Sequence, residues 1–261
     1  MTTLYLRAGG AAILAAPLAL FLSWPARADT QPEIRFVPAF FSGDFGTGIS
    51  TDMTYLPLIF ILGSTRQEFR VTVPFLSITT SRPVTFVGNE IIPRGPGGRT
   101  TESGLGDVVA QEEYFFLDGG RRRPWISGLI RIKAPTADDT RGLGTGEWDY
   151  GPGAAVIQPL ATRWNLLGEA QYVVRGDPRG IDFRNTWWLS GGLQKKLSGT
   201  SSASLYYERL QSVLRGRPDL VDLILGYDHG FARRLILRTA VFAGLSDSAE
   251  DYGLSVGFSM R

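Results

Sequence analysis

The stretch Arg163-Trp164-Asn165-Leu166-Leu167-Gly168-Glu169-Ala170-Gln171-Tyr172-Val173-Val174-Arg175 separates into two faces. Trp164, Leu166, Gly168, Ala170, Tyr172 and Val174 make one, which is apolar. Arg163, Asn165, Leu167, Glu169, Gln171, Val173 and Arg175 make the other, which is largely polar. Successive strand side chains point to opposite sides, so this period of two predicts a β-strand with unlike faces. The same pattern closes the chain, where Tyr252, Leu254, Val256, Phe258 and Met260 alternate with Gly253, Ser255, Gly257 and Ser259. It recurs in Val221–Asp228 and Arg234–Leu245.

Outward from these segments the chain predicts an all-β fold of about twelve strands. They are Glu33–Ser42, Ser50–Leu62, Arg66–Ile78, Ser103–Leu117, Pro124–Ala134, Glu147–Leu160, Arg163–Arg175, Phe183–Lys196, Thr200–Gln211, Pro218–Asp228, Arg233–Leu245 and Asp251–Met260. Segments of about ten alternating residues, even in number and separated by turns, are the signature of an antiparallel up-and-down barrel of the outer-membrane type. The connections agree. Gly63–Thr65, Asp118–Arg123, Ala161–Thr162, Leu197–Gly199 and His229–Ala232 are short, and they alternate with longer ones led by Thr79–Glu102 and Pro135–Gly146. Such barrels keep short turns at the periplasmic end and long loops outside. Trp125, Trp148 and Trp164 fall near strand starts, where rings at a membrane interface would sit. Pro57, Pro74, Pro152 and Pro159 oppose this reading because proline donates nothing to a ladder; we expect bulges or misplaced strand ends there.

The amino terminus reads as an address. Ala11–Leu22 is an apolar run of twelve residues, preceded by Arg7 and followed by the small residues Ala26 and Ala28. It is too short to span a bilayer as a helix, which takes about 20 residues. It fits a secretory signal cleaved between Ala28 and Asp29, leaving a barrel over 29–261. The composition then changes meaning. The full chain has 27 Lys and Arg against 25 Asp and Glu, but loss of Arg7 and Arg27 leaves 25 against 25. The basic balance is therefore no sign of nucleic acid, and Arg121-Arg122-Arg123 is the longest basic run. With no cysteine, disulfide scaffolds and thiolate metal sites are excluded.

Alternation alone does not say which face meets the core. Export and the mixture of long charged residues with glycine on the polar face favour lipid outside. In hydrocarbon every backbone group must pair within the protein, so the sheet has to close. Twelve strands about 4.8 Å apart and tilted about 40° give a backbone diameter of roughly 24 Å and a free bore of roughly 10 Å. The lumen candidates are then Glu68, Arg70, Arg131, Lys133, Glu169, Arg175, Arg184, Glu208, Asp222, Asp228 and Arg238, with ion pairs expected across the bore. Glu112 and Glu113 are adjacent, so only one faces inward. Thr79–Glu102 is expected to dip into the mouth and constrict it through Gly95, Pro96, Gly97 and Gly98.

A catalytic alternative centres on His229, the single histidine. It falls at a periplasmic turn and the chain has no G-x-S-x-G elbow, so an outer-membrane hydrolase is the weakest reading. Asp138-Asp139 and Asp247 with Glu250-Asp251 lack the spacing of a calcium loop, and neither metal nor cofactor is expected.

Three motifs carry a family likeness: Ser103-Gly104-Leu105-Gly106-Asp107; Lys133-Ala134-Pro135-Thr136-Ala137-Asp138 with Gly142-Leu143-Gly144-Thr145-Gly146-Glu147-Trp148; and Gly244-Leu245-Ser246-Asp247 before the closing strand. In this order they resemble the outer-membrane transporters of the "MetA-pathway of phenol degradation" family. Ala137 stands where the family's K-x-P-T-G-D corner has glycine, and the chain closes on Met260-Arg261 where such barrels often end in an aromatic residue. The resemblance implies a single barrel in the bacterial outer membrane that passes small, often aromatic or hydrophobic, molecules. Its partners would be the solute, outer-membrane lipid and the barrel assembly machinery. A closed-lumen structural or sensory barrel is the alternative.

Overall fold

The computed structural model describes residues 31–178, 180–231 and 234–261, so the expected signal segment lies outside the described residues. The strands are β1 (Gln31–Phe36), β2 (Ala39–Gly43), β3 (Thr51–Gly63), β4 (Gln67–Thr80), β5 (Val84–Val87), β6 (Glu90–Pro93), β7 (Thr100–Leu105) and β8 (Val108–Leu117). They continue with β9 (Trp125–Ala134), β10 (Asp149–Ala161), β11 (Trp164–Val173), β12 (Thr186–Lys196), β13 (Ser201–Leu210), β14 (Leu220–Gly230), β15 (Leu235–Gly244) and β16 (Tyr252–Met260). Fourteen of them join one antiparallel sheet, while β5 and β6 pair only with each other. β1 and β2 are successive halves of one stave, both paired to β3 and β16. β7 and β8 are halves of another, both paired to β4. The fourteen strands therefore make twelve staves, and the first closes on the last. Each expected strand overlaps one stave.

Burial decides the orientation of the faces. On β16, Leu254, Val256, Phe258 and Met260 are 51%, 49%, 48% and 57% exposed, whereas Ser255 and Ser259 are 5% and 1%. The apolar face is outside and the polar face inside, the reverse of a water-soluble barrel. Trp148, Trp164, Trp187, Tyr227 and Tyr252 lie on the outer face near stave ends, as interface rings do. The ladder between staves pairs the backbone within the protein, as a wall facing hydrocarbon requires.

Two sequence expectations need correction. Trp125 shares its side of β9 with buried Ser127 and faces the lumen, not the interface; its ring packs over Gly119. Pro57 and Pro74 cause no bulge, because they are register partners within an unbroken β3–β4 pairing. Pro74 accepts a bond from Gly106 N–H at 2.9 Å, so its donor-less nitrogen points to the gap between β7 and β8. Pro57 has its missing donor on the side where β1 gives way to β2. Each proline thus faces a place where the neighbouring stave offers no acceptor in register. Pro152 also lies in register, opposite Ile130, and only Pro159 borders a bulge.

The Glu112–Glu113 ambiguity resolves cleanly. Glu113 pairs with Leu129 on the inner face and accepts a 2.5 Å bond from Ser127 Oγ. Glu112 points outward between Phe69 and Ile130, and its Oε2 has no hydrogen-bond partner. An acid on the lipid face destabilises a barrel, less than a base does. Glu112→Leu is expected to stabilise the fold by about 1 kcal/mol, read as a higher urea midpoint for loss of the compact band on unheated gels.

Candidate functional site: a lumen crossed by a hairpin

Register places Glu68, Arg70, Arg131, Lys133, Glu169, Glu208, Asp222, Asp228 and Arg238 on the inner face. Arg175 stands just past β11, beside Asp149. Arg184 does not line a stave. It sits in the connection before β12 and braces the outer loops through Ser212 O and Asp219.

The ion pairs run along the wall rather than across the bore. At the periplasmic end Glu33 binds Arg35 at 2.8 Å, Arg261 at 2.6 Å and Arg238 at 3.5 Å, and Arg238 reaches Asp228 at 3.0 Å. Toward the outer end Asp149 takes Arg175 at 2.9 Å and Lys133 at 3.6 Å, while Lys133 also reaches Asp107 at 2.7 Å. Arg70 pairs with Glu68 on its own strand at 2.5 Å. Short-range pairing between near staves satisfies charge without filling the centre, which is why the expected cross-lumen pairs do not form among the described residues.

The family motifs make one corner. Thr136 Oγ1 donates to Gly106 O at 3.0 Å and accepts from Val108 N–H at 2.9 Å. Ala137 N–H donates to Asp107 Oδ1 at 3.1 Å. Asp138 caps the next turn through Thr140 and Arg141, and the Thr140 hydroxyl holds its carboxyl below the usual carboxylate range. These acids are spent on loop structure.

The long connection after β4 holds a feature absent from the sequence expectations. Val84-Thr85-Phe86-Val87 and Glu90-Ile91-Ile92-Pro93 pair as a hairpin around Gly88 and Asn89, both with positive φ, 51° and 79°. A two-residue turn of that hand is a common hairpin connection, and Gly-Asn between two β-rich runs was the available signal. One side of the hairpin, Val84 and Ile91, packs with Met53, Leu76, Ile78 and Leu143. The other, Val87 and Ile92, packs with Phe183 and Val213. Glu90, fully buried, accepts from Val213 N–H at 2.7 Å and Ser212 Oγ at 2.8 Å. Arg217 donates to Ile91 O at 2.8 Å and to Phe45 O. The hairpin is tethered between β4 and β7, and its anchor lies between β13 and β14. In the ring order these two connections are six staves apart in either direction. The hairpin therefore spans the mouth from one side to the other. Its turn, Gly88–Asn89, meets Arg175. Gly95–Gly98 lie beyond β6, where Pro96, Gly97 and Gly98 are exposed.

Space remains around the hairpin. A vestibule of about 710 Å³ opens between Val87, Ile92, Pro93, Gly144–Glu147, Ile181 and Phe183. A smaller cavity of about 80 Å³ lies under the turn, lined by Gly88, Asn89, Arg131, Lys133, Asp149, Arg175 and Trp188. Lower in the barrel, about 200 Å³ is bounded by Glu113, Phe115, Trp125, Glu169 and Tyr206.

The catalytic alternative gains one contact and lacks the rest. Ser201 Oγ lies 2.8 Å from His229 Nδ1, on the outer face near the periplasmic rim. Among the described residues no carboxylate is bonded to His229, and its ring packs on Tyr227 and Phe231. A serine nucleophile needs an oriented base, which this pair does not supply.

The fold is shared with known channels. The COG4313 outer membrane channel from Pseudomonas putida F1 is similar over 88% of this chain and 94% of its own, at 13% identity and a TM-score of 0.61. The KdgM porin in complex with disordered oligogalacturonate is similar over 88% and 98%, at 9% identity and 0.53. The NanC porin is similar over 88% and 100%, at 9% identity and 0.50. No curated protein sequence matches the chain. The sequence profile described as "Putative MetA-pathway of phenol degradation" matches residues 41–261, and the chain belongs to that family of outer-membrane barrels.

Proposed function

We propose that this barrel is a passive outer-membrane channel for small molecules with an apolar, often aromatic, body. The observation that carries the proposal is the set of spaces inside a closed wall: a vestibule of mixed lining beside the hairpin, a polar cavity beneath it and a partly aromatic space below. Val87, Ile92, Ile181 and Phe183 offer an apolar entrance, while the charged wall beneath keeps water in the bore. Phe115, Trp125 and Tyr206 then offer faces to a flat ring. The family description and the porin-like fold support the same reading. Export through cleavage after Ala28, contact with outer-membrane lipid and insertion by the barrel assembly machinery belong to the proposal, and mass spectrometry of the mature amino terminus tests the cleavage.

The hairpin across the mouth favours a second reading, a closed structural barrel. Liposome swelling separates the two. Vesicles holding the refolded protein should swell with phenol-sized solutes and progressively less with larger sugars. Swelling no faster than in protein-free vesicles for every solute rejects the channel.

A further inference from the structure

We infer that the cavity under the hairpin turn is a binding site for the carboxylate of a small organic acid, with Arg131 as its principal ligand. The inference rests on the channel reading and adds the chemistry of the solute. Four observations carry it. Arg131 projects into the lumen and makes no hydrogen bond or ion pair among the described residues, unlike Arg175, Lys133 and Arg70, whose charges are held by Asp149, Asp107 and Glu68. The cavity lining holds Arg131, Lys133 and Arg175 against Asp149 alone, a balance of +2. Arg70, Gln111 and Arg131 are register partners on three adjacent strands, so donors stand in a row on this wall, and Arg70 Nε is itself unbonded. The periplasmic side of that row is acidic, with Glu68 and Glu113 in the next inward positions.

A guanidinium presents paired N–H donors that match the two oxygens of a carboxylate, and such bonds are stronger than neutral ones. A guanidinium with no acid bonded to it, and only one acid, Glu169, acting on it from beyond ion-pair distance, leaves its donors open to an anion. The size selects which part of the solute enters. About 80 Å³ is roughly half of the cavity volume that accommodates a benzene ring, so a carboxylate fits and a ring does not. The ring would remain outside the cavity, while Trp188 on its lining senses the bound carboxylate. Glu113 and Glu169 below would oppose the anion's descent, so the site holds the solute before it passes down.

The test measures binding apart from transport. Benzoate and its neutral analogue benzyl alcohol are titrated into detergent-solubilised, refolded protein, following quenching of tryptophan emission. Benzoate should bind about tenfold more tightly than benzyl alcohol. Arg131→Gln should bring benzoate down to the benzyl alcohol level, and Arg131→Lys should restore part of the difference. The compact band on unheated gels verifies that each variant is folded. Equal binding of the two compounds, or a benzoate affinity untouched by Arg131→Gln, overturns the inference even where vesicle swelling shows an open channel. Retained benzoate selectivity without any swelling would reject the channel and leave the site standing.

Discussion

Replacing Val84–Pro93 with a short glycine–serine linker is expected to raise single-channel conductance in planar bilayers several-fold. The hairpin lies across the mouth, anchored six staves from its tether, and a bore of roughly 10 Å leaves little room beside two strands. The barrel ladder stays complete without it, because β5 and β6 pair with no stave, although Met53, Leu76 and Ile78 lose apolar packing. A milder variant isolates docking from presence. Glu90→Ala leaves Val213 N–H and Ser212 Oγ without their acceptor, a cost of about 1–3 kcal/mol. It should produce brief openings to the conductance of the deletion. Conductance unchanged in both variants rejects any gating role for the hairpin.

The same anchor predicts a pH dependence. Burial pushes the Glu90 carboxyl above its ordinary range, against the lowering pull of Val213 N–H, the Ser212 hydroxyl, Arg217 and Arg175. Asp219, bonded to Ser212 N–H at 3.1 Å, is the nearby acid on the facing connection. An undocked Glu90 titrates in the ordinary range of a solvated glutamate. The docked form therefore binds the proton more tightly. Docking is fully favoured below the ordinary carboxylate range and weakens as pH rises through the raised value. Open time should increase with pH across that window. Glu90→Gln keeps an acceptor for Val213 and cannot ionise, so its open time should be low and flat with pH. A wild-type response that persists in Glu90→Gln assigns the titration to another group.

The staves were legible because each carries its own signal. Arg163–Arg175 needs no partner to reveal its two faces, and the outer-membrane setting inverts which face is buried without altering the period. The hairpin was legible in principle, since Val84–Val87, Gly88-Asn89 and Glu90–Ile92 form a strand–turn–strand pattern. Gly95-Pro96-Gly97-Gly98, a few residues on, carries the stronger local turn signal and masks it. Pair-dependent features were not legible. Pro57 and Pro74 are tolerated because of what adjacent staves do at Val37–Pro38 and Gly106–Asp107, and no local pattern encodes that. Arg131 looked like any other inward arginine. That no acid bonds it emerges only from the three-dimensional structure, where Asp149 and Asp107 are taken by Arg175 and Lys133.

Gly257→Val is expected to abolish the closed barrel, read as loss of the faster-migrating band on unheated gels after refolding into lipid. Gly257 lies on the inner face of the last stave, opposite the break between β1 and β2. A Cβ there would stand 2.1 Å from Phe36 O and 2.4 Å from Val37 Cα. Both obstacles are backbone, so no side chain can swing aside; the seam itself has to open. The seam is thin, with three register pairs between β1 and β16 and four between β2 and β16. Val256 N–H also bonds Pro38 O across it at 3.1 Å. Opening it exposes backbone donors and acceptors to hydrocarbon, at several kcal/mol for each group left unpaired, roughly. That exceeds what overpacking costs in an ordinary core, about 1–3 kcal/mol. Gly63→Ala is the control, because nothing lies within 4 Å of the Cβ it would add. It should fold like the parent. If Gly257→Val folds to the same extent as Gly63→Ala, the first and last staves do not close at this contact. The glycine content of the chain, 32 residues, then has a use at this position that strand propensity would argue against: the first stave crosses inward over the last, and only a residue without a side chain lets the two backbones meet.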